Sequence, residues 1–323
     1  NRSFIEGQSG DFRNRLFEIV DHLNIGQVLV DNPVERNEIV RLNLIVGQKA
    51  KAATAYEPAL NYLNQGMAIL PFDSWKTAYE LTFSLNVEKI EALYLNTHFE
   101  QSQALVDTVL QHAKTRLEEV KLYELKIQVH ITQTQMAAAL ETGLHVLGLL
   151  GIELEQKPPV IKVAIEDLIN QPLMVEPTKV AAMRILMTIM SPAFIANPAL
   201  LAPIAFTMVN LSVKEGHSPP SAYGYSFYGL ILCLGIDGIE AGYQFGQLAL
   251  NLIDQFNAKE IKARTHELFH AFVRPWKEPP RNIIGSLYDT IQIGVETGDI
   301  EYASYSALYC CVFPLLMGEP LES

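Results

Sequence analysis

Between Ile185 and Val213 the sequence has no charged side chain at all. A run of that length can cross a bilayer. Here Pro192, Pro198 and Pro203 cut it into short pieces and Asn197 and Asn210 add amides, so the expectation is a set of helices buried inside the protein. Cysteine is scarce as well. Cys233 and the adjacent pair Cys310 and Cys311 are an odd set in apolar surroundings, which excludes a disulfide framework and suggests a reduced, cytoplasmic setting. The adjacent thiols are read as small buried hydrophobes, with a redox pair as the alternative. Basic residues are outnumbered: 24 Lys and Arg against 36 Asp and Glu give a formal charge of −12. Neither nucleic acid nor an anionic membrane surface is then an expected partner, since both need a basic face. The chain lacks Gly-x-x-x-x-Gly-Lys-Ser/Thr and Gly-x-Ser-x-Gly, and with them a phosphate-cradling loop and a nucleophile elbow. It begins at Asn1 without Met and without a basic-then-apolar leader, and reads as a piece of a longer polypeptide.

What is present is apolar periodicity. Hydrophobic residues make up 49% of 323 positions, enough to build a core, and no stretch alternates with the period of a strand. Leu16, Ile19, Val20 and Leu23 follow helical spacing after a polar lead-in over 1–15. Helices are expected over Val34–Thr54 and Tyr56–Leu70, then Trp75–Asn96 behind an Asp73-Ser74 cap, then a helix opening at Phe99. Leu117–Thr132 and Met136–Leu150 form a further pair, with turns at 96–99 and 133–135. Pro158-Pro159 is the sharpest composition break, and prolines divide 160–215 into short helices. Paired helices return at Tyr223–Leu234 and Ile239–Phe256, then Lys259–Val273, then Arg281–Glu296 and a last helix carrying Ala303 and Ala307.

Gly47, Ala59, Leu63 and Pro71 stand at offsets of twelve, four and eight residues. That spacing resembles the tetratricopeptide repeat: small residues where two antiparallel helices approach, a bulky residue filling the gap, and a closing proline. Asn43 and Ala50 replace the usual aromatic residues of the first helix. The expected fold is an all-α, tetratricopeptide-like α-solenoid of antiparallel helix pairs, in a first arc over 1–155 and a second over 156–323.

His266-Glu267-Leu268-Phe269-His270 is the loudest short motif. On a helix it sets two imidazoles on one face, where they could hold zinc with Glu267 as general base. A hydrolase also needs a third ligand, and Pro275-Trp276-Lys277 stands where a metzincin continues. The competing reading is two histidines on an ordinary repeat helix. Tyr223, Tyr225, Phe227 and Tyr228 are read as helix-packing surface, with a ligand platform as the alternative.

Three stretches carry a resemblance: 16–27 with 42–70, then 79–105, then 294–309. They resemble the helical-repeat region of large bacterial, especially cyanobacterial, signalling proteins. In that family a serine/threonine kinase domain and a STAND-type AAA NTPase precede the repeats, and a GAF sensor and a histidine kinase or cyclase output follow. The resemblance implies a non-catalytic scaffold or signal-transmitting segment without cofactor, whose partners are proteins or neighbouring domains. A small-ligand sensor solenoid is the alternative it allows. None of the family's catalytic motifs falls within this chain. The partner groove is expected on first-helix positions Arg41, Leu44, Gln48 and Lys51; Val87, Glu91 and Tyr94; and Glu124, Gln128 and Ile131. Replacing Ala59 by Leu is expected to destabilise the protein by about 1–3 kcal/mol through overpacking. Thermal unfolding of the variant measures this, and no loss would mean that the two helices stand apart.

Overall fold

The computed structural model describes residues 15–235 and 238–319. Among them the chain is all-α, with one isolated parallel bridge between Leu173 and His217. It divides into two compact units, one ending at Gln135 and the other starting at Met136; Pro158-Pro159 lies inside the second.

The first unit opens with helix α1 over 15–26. It continues through α2 (Pro33–Ala52), α3 (Tyr56–Ile69), the single turn α4 (Ser74–Thr77), α5 (Tyr79–Leu95), α6 (Phe99–Leu110) and α7 (Arg116–Thr132). Asn32 caps α2 by accepting the Val34 N–H, and Pro33 takes the first turn, where its missing N–H costs nothing. A capping box between Thr115 and Glu118 starts α7. The helix expected over Trp75–Asn96 is instead broken at Ala78, whose φ of −143° and ψ of 49° leave the helical region. Asp73 does not cap it. At φ −93° and ψ 17° it lacks the extended backbone a cap needs, and only its carbonyl receives the Thr77 hydroxyl.

Helices α2 and α3 pack as the Gly47 spacing requires. A Cβ on Gly47 would sit 2.8 Å from Leu63 Cγ and 3.4 Å from the Ala59 carbonyl. Both Ala59 and Leu63 are fully buried. Ile39, Val40, Leu60, Ile69, Leu85 and Leu93 extend that core onto α5. A neighbouring cluster of Val87, Ile90, Val106, Val109 and Leu122 joins α5, α6 and α7.

The second unit contains α8 (Met136–Leu149), an irregular stretch with a 3-10 turn at Ile165–Asn170, α9 (Pro177–Thr188), α10 (Met190–Ala196) and α11 (Leu201–Glu215). It ends with α12 (Pro219–Leu234), α13 (Ile239–Phe256), α14 (Lys262–Leu268), α15 (Ile284–Thr297) and α16 (Ile300–Leu316). The uncharged run forms the interior faces of α9 to α11, where Ile185, Leu186, Ile189, Met190, Ala193 and Ile204 to Val209 are buried. No single helix among the described residues is long and apolar enough to cross a membrane. Only the bent pair α9–α10 reaches the length; Ala181 to Met183, Ile185, Leu186, Met190, Pro192 and Ala193 of it are buried, whereas Phe194 and Ile195 are exposed. Helix α12 begins four residues earlier than the aromatic periodicity suggests, because Pro219 and Pro220 fit its first turn. Helix α15 begins later than expected, at Ile284, since Pro280–Asn282 forms a separate 3-10 turn.

Tyr223, Tyr225 and Tyr228 are buried and Phe227 is half-buried, so this set packs helices and presents no open platform. Tyr225 stacks on Phe245 across α12 and α13, and Tyr228 meets the same ring edge-on. The adjacent thiols separate. Cys310 packs towards Ala271, Ile283 and Phe313, whereas Cys311, about 100° further round the helix, is exposed. The expectation that both are buried is therefore corrected.

Three helix ends of the first unit share one feature. Thr54, Thr97 and Thr134 follow α2, α5 and α7 with φ of 60°, 61° and 60°. In each case the next N–H reaches back to the carbonyl five residues earlier: Ala55 to Ala50, His98 to Leu93, Gln135 to His130. This is the left-handed helix stop usually made by glycine, and a β-branched residue is strained there. Thr97→Gly is expected to raise stability by about 0.5–1 kcal/mol, the relief of strain exceeding the added unfolded-chain entropy. Denaturant unfolding checks it; a loss would show that the Thr97 side chain holds the turn.

Candidate functional site

Two of the places where polar side chains gather, one in each unit, hold residues that the sequence singles out. In the first, α2, α5 and α7 are bridged along one surface. The Lys51 ammonium on α2 lies between the carboxylates of Glu88 and Glu91 on α5. Gln48 donates to Glu88 Oε1 at 3.0 Å, and Lys121 on α7 approaches Glu91 Oε1 at 3.6 Å. Burial alone lowers the proton affinity of Lys51, but hydrogen bonds to and charge on Glu88 and Glu91 outweigh it and hold the pKa above the ordinary lysine value. Tyr94 meets Thr132 at 3.0 Å, a second link between α5 and α7.

The expected groove residues are thus partly brought together. Gln48, Lys51 and Glu91 share the charge ladder, and Tyr94 lies one turn beyond Glu91 on the same helix. Arg41 is exposed and pairs only loosely with Glu38, at 3.8 Å. Leu44, Glu124, Gln128 and Ile131 are half-buried. Val87 is in the core cluster with Ile90 and Val106 and offers no surface. Glu88 and Lys121 are the members that periodicity missed; their signal was a complementary charge on the neighbouring first helix.

The second place surrounds α14. The guanidinium of Arg264 forks onto Asp299, Nε to Oδ2 at 3.0 Å and Nη2 to Oδ1 at 3.1 Å, and its carbon lies 5.0 Å from the Tyr302 ring centre. Tyr302 in turn meets the Tyr223 hydroxyl at 3.2 Å. Glu267 is 3% exposed. Burial, together with the charge of Glu301, pushes its carboxyl up to about 8, so it is a neutral acid at pH 7.

His266 and His270 lie one helical turn apart with ring centres separated by 5.5 Å. Burial, then the charge of Lys262, lowers His266 to about 4. Burial, His266 and Arg274 lower His270 to about 3. The Arg274 guanidinium stands 3.3 Å from His270 Nδ1 and forks onto Glu278 at 2.9 and 2.8 Å. A cation therefore already occupies the neighbourhood of one imidazole. Among the described residues no group of three or more His, Cys, Asp or Glu gathers in metal-binding geometry. The helix passes into a π turn at Phe269–Val273, where Phe269 presses on Gly246 so closely that a Cβ there would lie 2.1 Å from the ring. Arg264 and Asp299 had no signal in the sequence beyond an ordinary interhelix turn, since their pairing spans two connections.

No family model matches the chain. It is similar to a segment of the hybrid signal transduction histidine kinase G of Dictyostelium discoideum, at 20% identity over 354 aligned positions. The alignment covers 95% of this chain and 10% of that protein, so the chain spans about a tenth of its relative's length.

The buried groups around α14 give the second unit a stability optimum in pH. His266 and His270 take up protons near 6.5 when unfolded but only near 4 and 3 when folded, so stability is lost as pH falls below 6.5. Glu267 has the opposite sign: the unfolded carboxyl ionises near 4.5 and the folded one near 8, so its contribution is lost as pH rises between them. Below 6.5 these two histidines, joined by His217 of the same unit, which burial lowers to about 4, outweigh one carboxyl. Above 6.5 Glu267 acts alone. Unfolding followed from pH 5 to 9 should therefore peak near 6.5 and decline by about 1 kcal/mol per pH unit towards 8. Glu267→Gln should abolish that decline; an unchanged slope would place the titration elsewhere.

Proposed function

We propose that this chain is a non-catalytic helical-repeat segment of a larger signalling protein, acting as a scaffold that couples neighbouring domains or a protein partner. The observation that carries this reading is the alignment running through 95% of the chain within a tenth of a histidine kinase. In that relative the matching segment is one part of a much longer protein, and the charge ladder fits a module whose helices stack. Lys51, Glu88, Glu91 and Lys121 tie the first helices of successive pairs edge to edge, as in an array where each pair contacts only its neighbours.

The finer reading is a tetratricopeptide-like α-solenoid. Its larger context would be a STAND-type NTPase and kinase polypeptide of the kind the sequence resembles, in the cytoplasm. The partner surface would follow Gln48, Lys51, Glu91 and Tyr94. The formal charge of −12 favours a protein partner over nucleic acid. In this role His266, Glu267 and His270 are packing residues of α14 and of the π turn that follows it, and carry no zinc.

Two measurements test the proposal. The coding sequence on either side should encode a nucleotide-binding or kinase domain in the same polypeptide, and flanks without one would count against the signalling context. Metal analysis of the purified chain should find no stoichiometric zinc. About one zinc per chain, lost in His266→Ala together with peptide cleavage, would replace the scaffold by a hydrolase.

A further inference from the structure

In the second unit the stretch 150–176 is free of α-helix and holds only the 3-10 turn Ile165–Asn170 and the bridge at Leu173. Ordered connections of that length are uncommon in compact domains and usually have a use. Both ends of this one are fastened. The Glu155 N–H donates to Thr207 Oγ1 at 2.8 Å. At the other end the His217 N–H donates to the Pro172 carbonyl and the Met174 N–H to the His217 carbonyl, each at 2.7 Å. Gly216 makes room for this second fastening: its φ is 97°, and a Cβ would lie 2.4 Å from the Pro172 carbonyl oxygen.

Between the fastenings the strap is held by apolar contact. Among the described residues, no hydrogen bond or ion pair joins 157–171 to the rest of the protein. Lys157, Lys162, Glu166 and Asp167 are all exposed. Ile161, Ile165, Leu168 and Ile169 lie on a cluster that includes Phe206 and Val209 of α11, Tyr228 of α12, and Phe245, Leu248 and Leu252 of α13. Of the four, only Leu168 is fully buried. The seat is also loose: a cavity of about 490 Å³ opens between the 3-10 turn and α13, beside Ile165, Ile169, Gln244, Gln247 and Asn251.

We propose that the strap 157–171 is a displaceable cover, and that the groove beneath it on α11, α12 and α13 binds a short aliphatic segment of a partner protein. The strap itself shows the chemistry of that partner. Its anchors Ile161, Ile165 and Leu168 stand at offsets of four and seven residues, a spacing used by groove-bound segments, and its inner side is uncharged. A partner of the same pattern competes for the same contacts, and releasing 157–171 breaks no polar bond to the rest of the protein. Gln244, Gln247 and Asn251 have no hydrogen-bond partner among the described residues and line the same cavity, where their amides suit a peptide backbone. The fastened ends keep a released strap beside its groove, so it returns when the partner leaves. This groove belongs to the second unit and does not depend on the signalling context.

The probe is a synthetic peptide with the sequence of 157–171. At about 1 mM, the order of a tethered segment's effective concentration, saturation-transfer NMR with the unaltered chain should show transfer to its aliphatic protons. The same peptide carrying Leu168→Asp should show none. Displacement is read at position 168 itself. In a chain carrying Leu168→Cys, Cys310→Ser and Cys311→Ser, the new thiol should react with a maleimide at least about tenfold faster than the buried Cys233. The peptide should accelerate that reaction further. A thiol at 168 as slow as Cys233 would make the strap a fixed part of the core and overturn the proposal. A peptide that leaves the rate at 168 unchanged would overturn it by binding elsewhere, and so would a peptide that shows no transfer from the unaltered chain. The NMR comparison needs no variant of the chain, so it decides even if the triple variant fails to fold.

Discussion

The approach of helix backbones at positions without a side chain is the constraint on which the rest of the packing depends. Helices α12 and α13 cross where Gly229 meets Gly242. A Cβ on either would lie 2.6 or 2.5 Å from the other's carbonyl oxygen, a distance no methyl group can occupy. Because the backbones touch there, Tyr225 and Tyr228 above the crossing are brought onto Phe245. At Gly246, one turn further along α13, Phe269 enters from the π turn. A larger residue at the crossing would separate the helices and leave these rings without partners, at the cost of a cavity or strain of roughly 1–3 kcal/mol. Gly47 does the same for α2 and α3 with Leu63 as the filling residue.

Once helices are this close, polar groups between them must be matched or neutralised, and the two units do this differently. In the first, the charges lie at the margin of the helices, where water still reaches Lys51, Glu88 and Glu91. Such pairs contribute modestly, on the order of 1 kcal/mol or less, and their larger effect is to fix which helix faces which. In the second unit Arg264 and Asp299 form a complete two-pronged pair inside the protein. Leaving either alone would cost several kcal/mol. Among the described residues no opposite charge pairs with Glu267, and the less costly state is the protonated one. The histidines on either side of it resolve the same problem by remaining neutral.

The helices were largely legible because their apolar spacing is local: α3, α8 and α13 fall within a residue of where periodicity places them. The close contact of Gly47, Ala59 and Leu63 was legible because two small residues at a fixed offset have one steric use. Three things were not. The break at Ala78 depends on backbone geometry that Ala does not advertise. The left-handed stops after α2, α5 and α7 use Thr, which propensity argues against, in place of Gly or Asn. The partners of Arg264, Asp299 and Tyr302, come from the turn before α16 and from α16 itself, and pairings across that separation leave no period in the sequence. Of the candidate groove, the charged members Lys51 and Glu91 could be anticipated from helix faces. Val87 could not be assigned, because one position decides between groove and core and hydropathy alone does not fix the rotation of α5.

A helix with a neighbour on its apolar side shows water a mostly polar face. Within the first unit each second helix has a neighbour to cover its apolar side: α3 packs on α5, and α6 on α7. The outer faces left over are therefore polar. In the second unit α15 keeps part of such a face, with Asp289, Gln292 and Glu296 exposed beside Tyr288 and Val295. Helix α16 does not: Leu308, Leu315 and Leu316 stand in solvent, the last at 75% exposure. Burying such side chains is worth about 1.5–3 kcal/mol each, and keeping them exposed is a standing cost to the isolated chain.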